Sequence, residues 1–70
     1  MSRIVSAEVR AWMARRDLTQ ADLAAALGIT RQAVSLRLSG KTAWTVDDVA
    51  IVARALNVPV TALLQSPSGE

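Results

Sequence analysis

Seventy residues make one small domain, near the lower limit at which a single core holds without staples. The absence of Cys and His excludes disulfides, thiolate chemistry and the usual zinc ligand sets, so no metal or cofactor is expected. The net charge is only +2, no apolar run is long enough to span a membrane, and the N-terminus MSRIVSAEVR lacks the apolar core of a signal peptide; a cytoplasmic protein is the default expectation.

In chain order the periodicity predicts five helices and no strand. Helix 1 is expected from about Ser6 to Arg16, with Val9, Trp12 and Met13 on its inward ladder. Three interior helices then open on the same device. Thr19, Thr30 and Thr45 each stand where an N-cap hydroxyl takes a free backbone N–H. An apolar residue precedes each Thr and another follows four places on: Leu18 with Leu23, Ile29 with Val34, Trp44 with Val49, a hydrophobic staple at each start. Two of the caps place Asp at the third helical position, Asp22 and Asp48, which suits a capping box. Helix 3 has Ala33 there and Arg31 in its first turn; either that N-terminus is kept open for an external anion such as a DNA phosphate, or one cap in three lacks an acid by chance.

Gly28 and Gly40 suit left-handed positions after helices 2 and 3. Helix 4 is expected over about Val46 to Leu56, facing the core with Val49, Val52, Ala53 and Leu56. Asn57 follows it, and Pro59 suits the opening of a short last helix through Leu64. Residues 1–65 form the expected domain, and the tail 66–70 has no apolar pattern and is expected to be disordered.

Charge is sorted along the chain. Residues 1–16 hold Arg3, Arg10, Arg15 and Arg16 against Glu8, and residues 30–44 hold Arg31, Arg37 and Lys41 against no acid, so each segment carries +3. The intervening 17–29 (Asp17, Asp22) and the closing 45–70 (Arg54 against Asp47, Asp48 and Glu70) each carry −2. Separated charge of this kind is the footprint of nucleic-acid binding.

The stretch Leu18–Lys41, LTQADLAAALGITRQAVSLRLSGK, reads as two short helices hinged at Gly28. With Gln20 opening the first, Ala24 in its middle, Gly28 in the turn, Ile29 after it and Val34 in the second, residues 6–64 resemble the phage-repressor and Cro-type helix-turn-helix family, the lambda-repressor-like DNA-binding domains. The GK at 40–41 and the ending ALNVPVTALL also match that family's habits. Ala24 is expected to be small because helix 3 crosses close over it, and Gly28 to bend the chain where a Cβ would clash. The resemblance implies a compact all-α domain of five helices, with helices 2 and 3 as the DNA-binding pair.

In this class the second helix of the pair enters the major groove N-terminus first. Its outward residues here are Gln32, Ser35, Leu36 and Ser39, with Arg31 at the tip, and these are the candidate base readers. Gln pairs doubly with adenine and Arg with guanine, each worth about 1–3 kcal/mol of discrimination. Thr19, Gln20, Thr30, Arg37, Lys41 and Thr42 are the candidates for holding backbone phosphates. The resemblance gives Gln20, Arg31, Gln32 and Leu36 those roles as matched positions; an ordinary solvated helix face is the plain alternative.

One position departs from the family pattern: Arg37 stands where an apolar residue is usual, three after Val34. Leu38 lies about 40° from Val34 and can take over the core contact, which leaves Leu36 on the far side. Leu36 then meets a thymine methyl in the groove, or joins a dimer contact, or helix 3 is rotated from this placement. Other features take simpler readings. Asp47 and Asp48 suit the first turn of a helix better than a metal or acid–base pair. Arg15 and Arg16 complement the end of helix 1, and one of them can also reach a phosphate. Trp44 fits a staple and loop clasp better than a base-stacking platform, and no Ser has a His to activate it.

The sequence therefore predicts a sequence-specific duplex-DNA-binding transcriptional regulator, a repressor or Cro-like control protein, not an enzyme. One such module makes few contacts, so a homodimer on a two-fold operator is expected. Val58, Val60, Leu63 and the Trp44 loop are candidates for the dimer surface unless they simply close the core. The rival class is a protein-interaction module, an antitoxin or adaptor on the same fold.

Overall fold

The structure, a computed structural model, describes residues 2–65; the expected tail at 66–70 lies outside the described residues. Five helices follow in order, with no strand among the described residues: α1 (Ser2–Arg16), α2 (Gln20–Leu27), α3 (Arg31–Leu38), α4 (Val46–Leu56) and α5 (Thr61–Leu64). The short α5 starts two residues later than the Pro59 expectation, but its first turn reaches back, the Ala62 N–H donating to the Pro59 carbonyl at 2.9 Å.

The caps form as expected. The hydroxyls of Thr19, Thr30 and Thr45 accept the backbone N–H groups of Asp22, Ala33 and Asp48 at 3.2, 3.0 and 3.0 Å. Asp22 and Asp48 complete their boxes by accepting the N–H groups of Thr19 and Thr45 at 2.8 and 3.0 Å. Leu23, Val34, Trp44 and Val49 are buried in one cluster, against which Leu18 and Ile29 pack, so all three staples close on the same core. Gly28 and Asn57 end α2 and α4 in the left-handed region, at φ +69° and +59°.

Gly28 has a different reason from the expected one. A Cβ built there meets nothing within 4 Å, so no clash demands glycine. The demand is the positive φ, which costs a residue with a Cβ free energy and lets the chain reverse between α2 and α3.

The first helix begins a full turn before the expected start at Ser6. Val5 and Val9, one turn apart, are both fully buried, while Trp12 and Met13 are only half-buried at the cluster's edge. Ser6 is inside the helix and buried. Its hydroxyl donates to the Arg37 carbonyl of α3 at 2.9 Å and accepts the Trp44 Nε1–H at 2.8 Å. Trp44 is thus the clasp between the α3–α4 loop and α1.

Arginines of α1 stitch other helices. Arg10 Nη2 donates to the Leu38 carbonyl at 3.1 Å, at the end of α3, and Arg16 Nε donates to the Leu56 carbonyl at 2.9 Å, at the end of α4. Cations at those C-termini offset the negative ends of the helix dipoles. Arg16 therefore serves the end of α4 where the end of its own helix was expected. Arg15 and Arg16 also lie over the Trp12 ring, 4.8 and 4.9 Å from its centroid.

Candidate nucleic-acid interface

Two inward residues set the rotation of α3. Val34 is fully buried and Leu38 is 5% exposed, and both join the core cluster on the side where α3 packs against α2 and α1. The rotation expected from the sequence is the one adopted, with Leu38 in the core place and Arg31, Gln32, Ser35, Leu36 and Ser39 all exposed. Leu36 is 37% exposed.

At the start of α3 the exposed side chains converge with those of α2. Thr19, Gln20, Ala21, Arg31, Gln32 and Ser35 line one shallow open depression. Two helix N-termini meet here, each with unpaired backbone N–H groups and the positive end of its dipole. Thr19 and Thr30 each spend an acceptor lone pair on their own helix, which leaves each hydroxyl proton free to donate outward. No carboxylate lines the depression.

At the other end of α3 the chain turns sharply on a single acceptor. The Leu36 carbonyl receives the Ser39 hydroxyl at 3.0 Å and the backbone N–H groups of Lys41 and Thr42 at 2.9 and 3.2 Å. Gly40, at φ +86°, makes that turn possible. Lys41 is exposed on it and Thr42 is half-buried. Most of the candidate residues thus fall into two groups, one at each end of α3.

Arg37 stands apart. Its Nε donates to Asp48 Oδ2 at 3.0 Å and its Nη1 to the Ala33 carbonyl at 3.1 Å, with only 17% of its side chain exposed. The guanidinium lies against the start of α4, where it bridges two helices. Burial would by itself raise the Asp48 pKa. The hydrogen bonds from Thr45 and Arg37 and the Arg37 charge outweigh that, and the carboxyl is held below its ordinary value. The Asp48 carboxylate therefore has two tasks: it closes the capping box on the Thr45 N–H and it pairs with Arg37. Asp47 is an exposed first-turn residue beside it.

Of the candidate dimer residues, Trp44 and Leu63 close the core at 3% and 0% exposure, Val58 is half-buried, and Val60 is exposed at 41%. Sequence reasoning missed Ser6 and the reach of Arg10 to α3. They are four residues apart on α1, a spacing that puts them on one face, but nothing in the sequence showed that α3 ends against that face.

Two capped helices of eight residues, reversed through a left-handed glycine and sharing a core seam, define a helix-turn-helix. The helix-turn-helix family model matches residues 9–63, and the chain belongs to that family, of the Cro/C1 type. A DNA-binding transcription regulator is the general function that goes with it. The curated proteins and the solved structures gave no match to the chain. No helix among the described residues is long and apolar enough to cross a membrane.

Proposed function

We propose that this domain is a sequence-specific repressor or Cro-like control protein that lays α3 in the major groove of double-stranded DNA and acts as a homodimer on a two-fold operator in the cytoplasm. The observation that carries the reading is the depression in which Thr19 and Gln20 of one helix start meet Arg31, Gln32 and Ser35 of the next, with no acid among them. Arg31, Gln32, Ser35, Leu36 and Ser39 are the residues that meet base edges. Thr19, Gln20, Thr30, Lys41 and Thr42 take backbone phosphates and hold the register. Arg37, with two of its donors spent inside the fold, holds α3 at its angle and so acts on DNA through position.

The test is salt-dependent binding to duplexes selected from a random pool. Affinity is expected to fall with a log–log slope of about −0.9 per neutralised phosphate. Arg31→Ala and Gln32→Ala are expected to weaken the selected site by about 1–3 kcal/mol, and Gln32→Ala more on that site than on random DNA. No duplex binding at low salt, or a flat salt response, overturns the reading in favour of a module that holds a protein partner.

A further inference from the structure

A second concavity lies at the far end of α3, where it meets the start of α1. Its lining includes Arg3, Ser6 and Arg10 from α1 and Leu38, Ser39 and Gly40 from the end of α3, with no carboxylate. Arg10 gives one N–H to the Leu38 carbonyl, which offsets the negative end of α3 and leaves most of its guanidinium donors uncommitted. Arg3 is exposed and makes no hydrogen bond, ion pair or ring contact among the described residues. In this it is unlike Arg10, Arg15 and Arg16 on the same helix.

Position ties this groove to α3. Gln32, Ser35 and Ser39 stand three and four residues apart, a ladder along one face of the helix. The first two line the depression at the start of α3 and the third lines the basic groove at its end. The eight residues of α3 span about 12 Å, close to the width of the B-DNA major groove of about 12 Å.

We propose that the Arg3–Arg10 groove is a second phosphate seat, which receives a backbone phosphate of the same duplex whose bases face α3. The inference rests on the DNA reading above and adds α1 to the interface. Arg3 supplies an uncommitted charge to the phosphate, and Arg10, anchored on the Leu38 carbonyl, supplies a second one. Contacts of this kind carry no sequence information, so the seat adds affinity and register equally on every sequence.

The experiment compares wild type, Arg3→Ala and Arg54→Ala on a selected and a scrambled duplex across a salt series, with thermal melts alongside. Arg54 is exposed on α4 and lines neither concavity, so its variant makes the same change in net charge elsewhere. Arg3→Ala is expected to keep the wild-type melting temperature, to lose affinity on both duplexes alike, and to flatten the log–log slope by about 0.9. Arg54→Ala is expected to keep the wild-type slope. A wild-type slope in Arg3→Ala, or an equal flattening in Arg54→Ala, overturns the seat while leaving α3 as the reading helix. A wild type that binds no duplex overturns the DNA reading and the seat together.

Discussion

Arg37 of α3 donates from Nε to Asp48 Oδ2 at the first turn of α4, 3.0 Å away, and the same carboxylate oxygen accepts the Thr45 backbone N–H at 3.0 Å. One carboxylate thereby couples the angle of α3 to the start of α4. Both side chains are largely covered, 17% and 14% exposed, so solvent screens the pair less than an open surface bridge. Arg37→Met keeps the stem and removes the charge. It is expected to lower stability by about 1–3 kcal/mol, because the partly buried carboxylate loses a charged partner. In chemical denaturation the midpoint is expected to fall with the slope unchanged. At a temperature where the variant is folded, discrimination between a selected and a random duplex is expected to fall, because α3 loses its brace.

Asp48 makes the fold acid-sensitive in a defined window. Its folded pKa lies below the ordinary 3.8, so the stabilisation is fully present above that value and is lost as pH falls through the folded pKa. Asp48→Asn removes the titration and keeps the size. Its melting temperature is expected to lie below wild type at about pH 6, and the gap to narrow as pH falls below about 4. A gap that stays constant down to about pH 2 would show that the carboxylate's charge contributes nothing.

Gly28 separates backbone conformation from packing. With φ at +69° and open space where a Cβ would stand, Gly28→Ala is expected to cost about 1 kcal/mol through strain alone. Gly28→Asn is expected to cost less, because asparagine tolerates the left-handed region, as Asn57 does at φ +59° at the end of α4. Equal losses from Ala and Asn in thermal melts would point to a contact that the wild type does not show.

Local chemistry makes the helix ends legible in the sequence. A Thr cap and an apolar pair around it are satisfied within five or six residues of chain, with an Asp three residues on at α2 and α4 only, and α2, α3 and α4 all begin where those signals stand. The start of α1 is not legible in this way, because Ser6 has the chemistry of a helix opener. Its actual partners, the Arg37 carbonyl and Trp44 Nε1, lie 31 and 38 residues away. The same kind of separation along the chain hides Arg16 on the Leu56 carbonyl and Arg37 on Asp48. The polar face of α3 is legible because its inward residues, Val34 and Leu38, are apolar; the convergence of Gln20 with Gln32 depends on how α2 and α3 cross.

Ser6 and Trp44 are expected to be energetically coupled. Ser6→Ala removes the acceptor 2.8 Å from the indole nitrogen and the donor to the Arg37 carbonyl, for an expected loss of about 1–3 kcal/mol. In a Trp44→Phe background part of that loss has already occurred, so Ser6→Ala is expected to cost less there. A double-mutant cycle on denaturation free energies reads the difference, and strict additivity would mean that the clasp holds nothing.

Leu36 tests the face assigned to DNA. Val34 and Leu38 occupy the core and Leu36 remains 37% exposed, so Leu36→Ala is expected to cost under about 1.5 kcal/mol, whereas Leu38→Ala is expected to cost about 2–5 kcal/mol. If Leu36 packs on a thymine methyl, the variant relaxes the preference for T at one operator position. Replacing that T by U, which lacks the methyl, then weakens the wild type and hardly changes Leu36→Ala. Equal sensitivity to U in both proteins would remove Leu36 from the base-reading set. It would leave the leucine, with half-buried Val58 and exposed Val60, as an apolar residue available to a second subunit. Sedimentation of Leu36→Ala and Val60→Ser, with and without a two-fold operator, then tests whether the chain self-associates and whether either residue contributes.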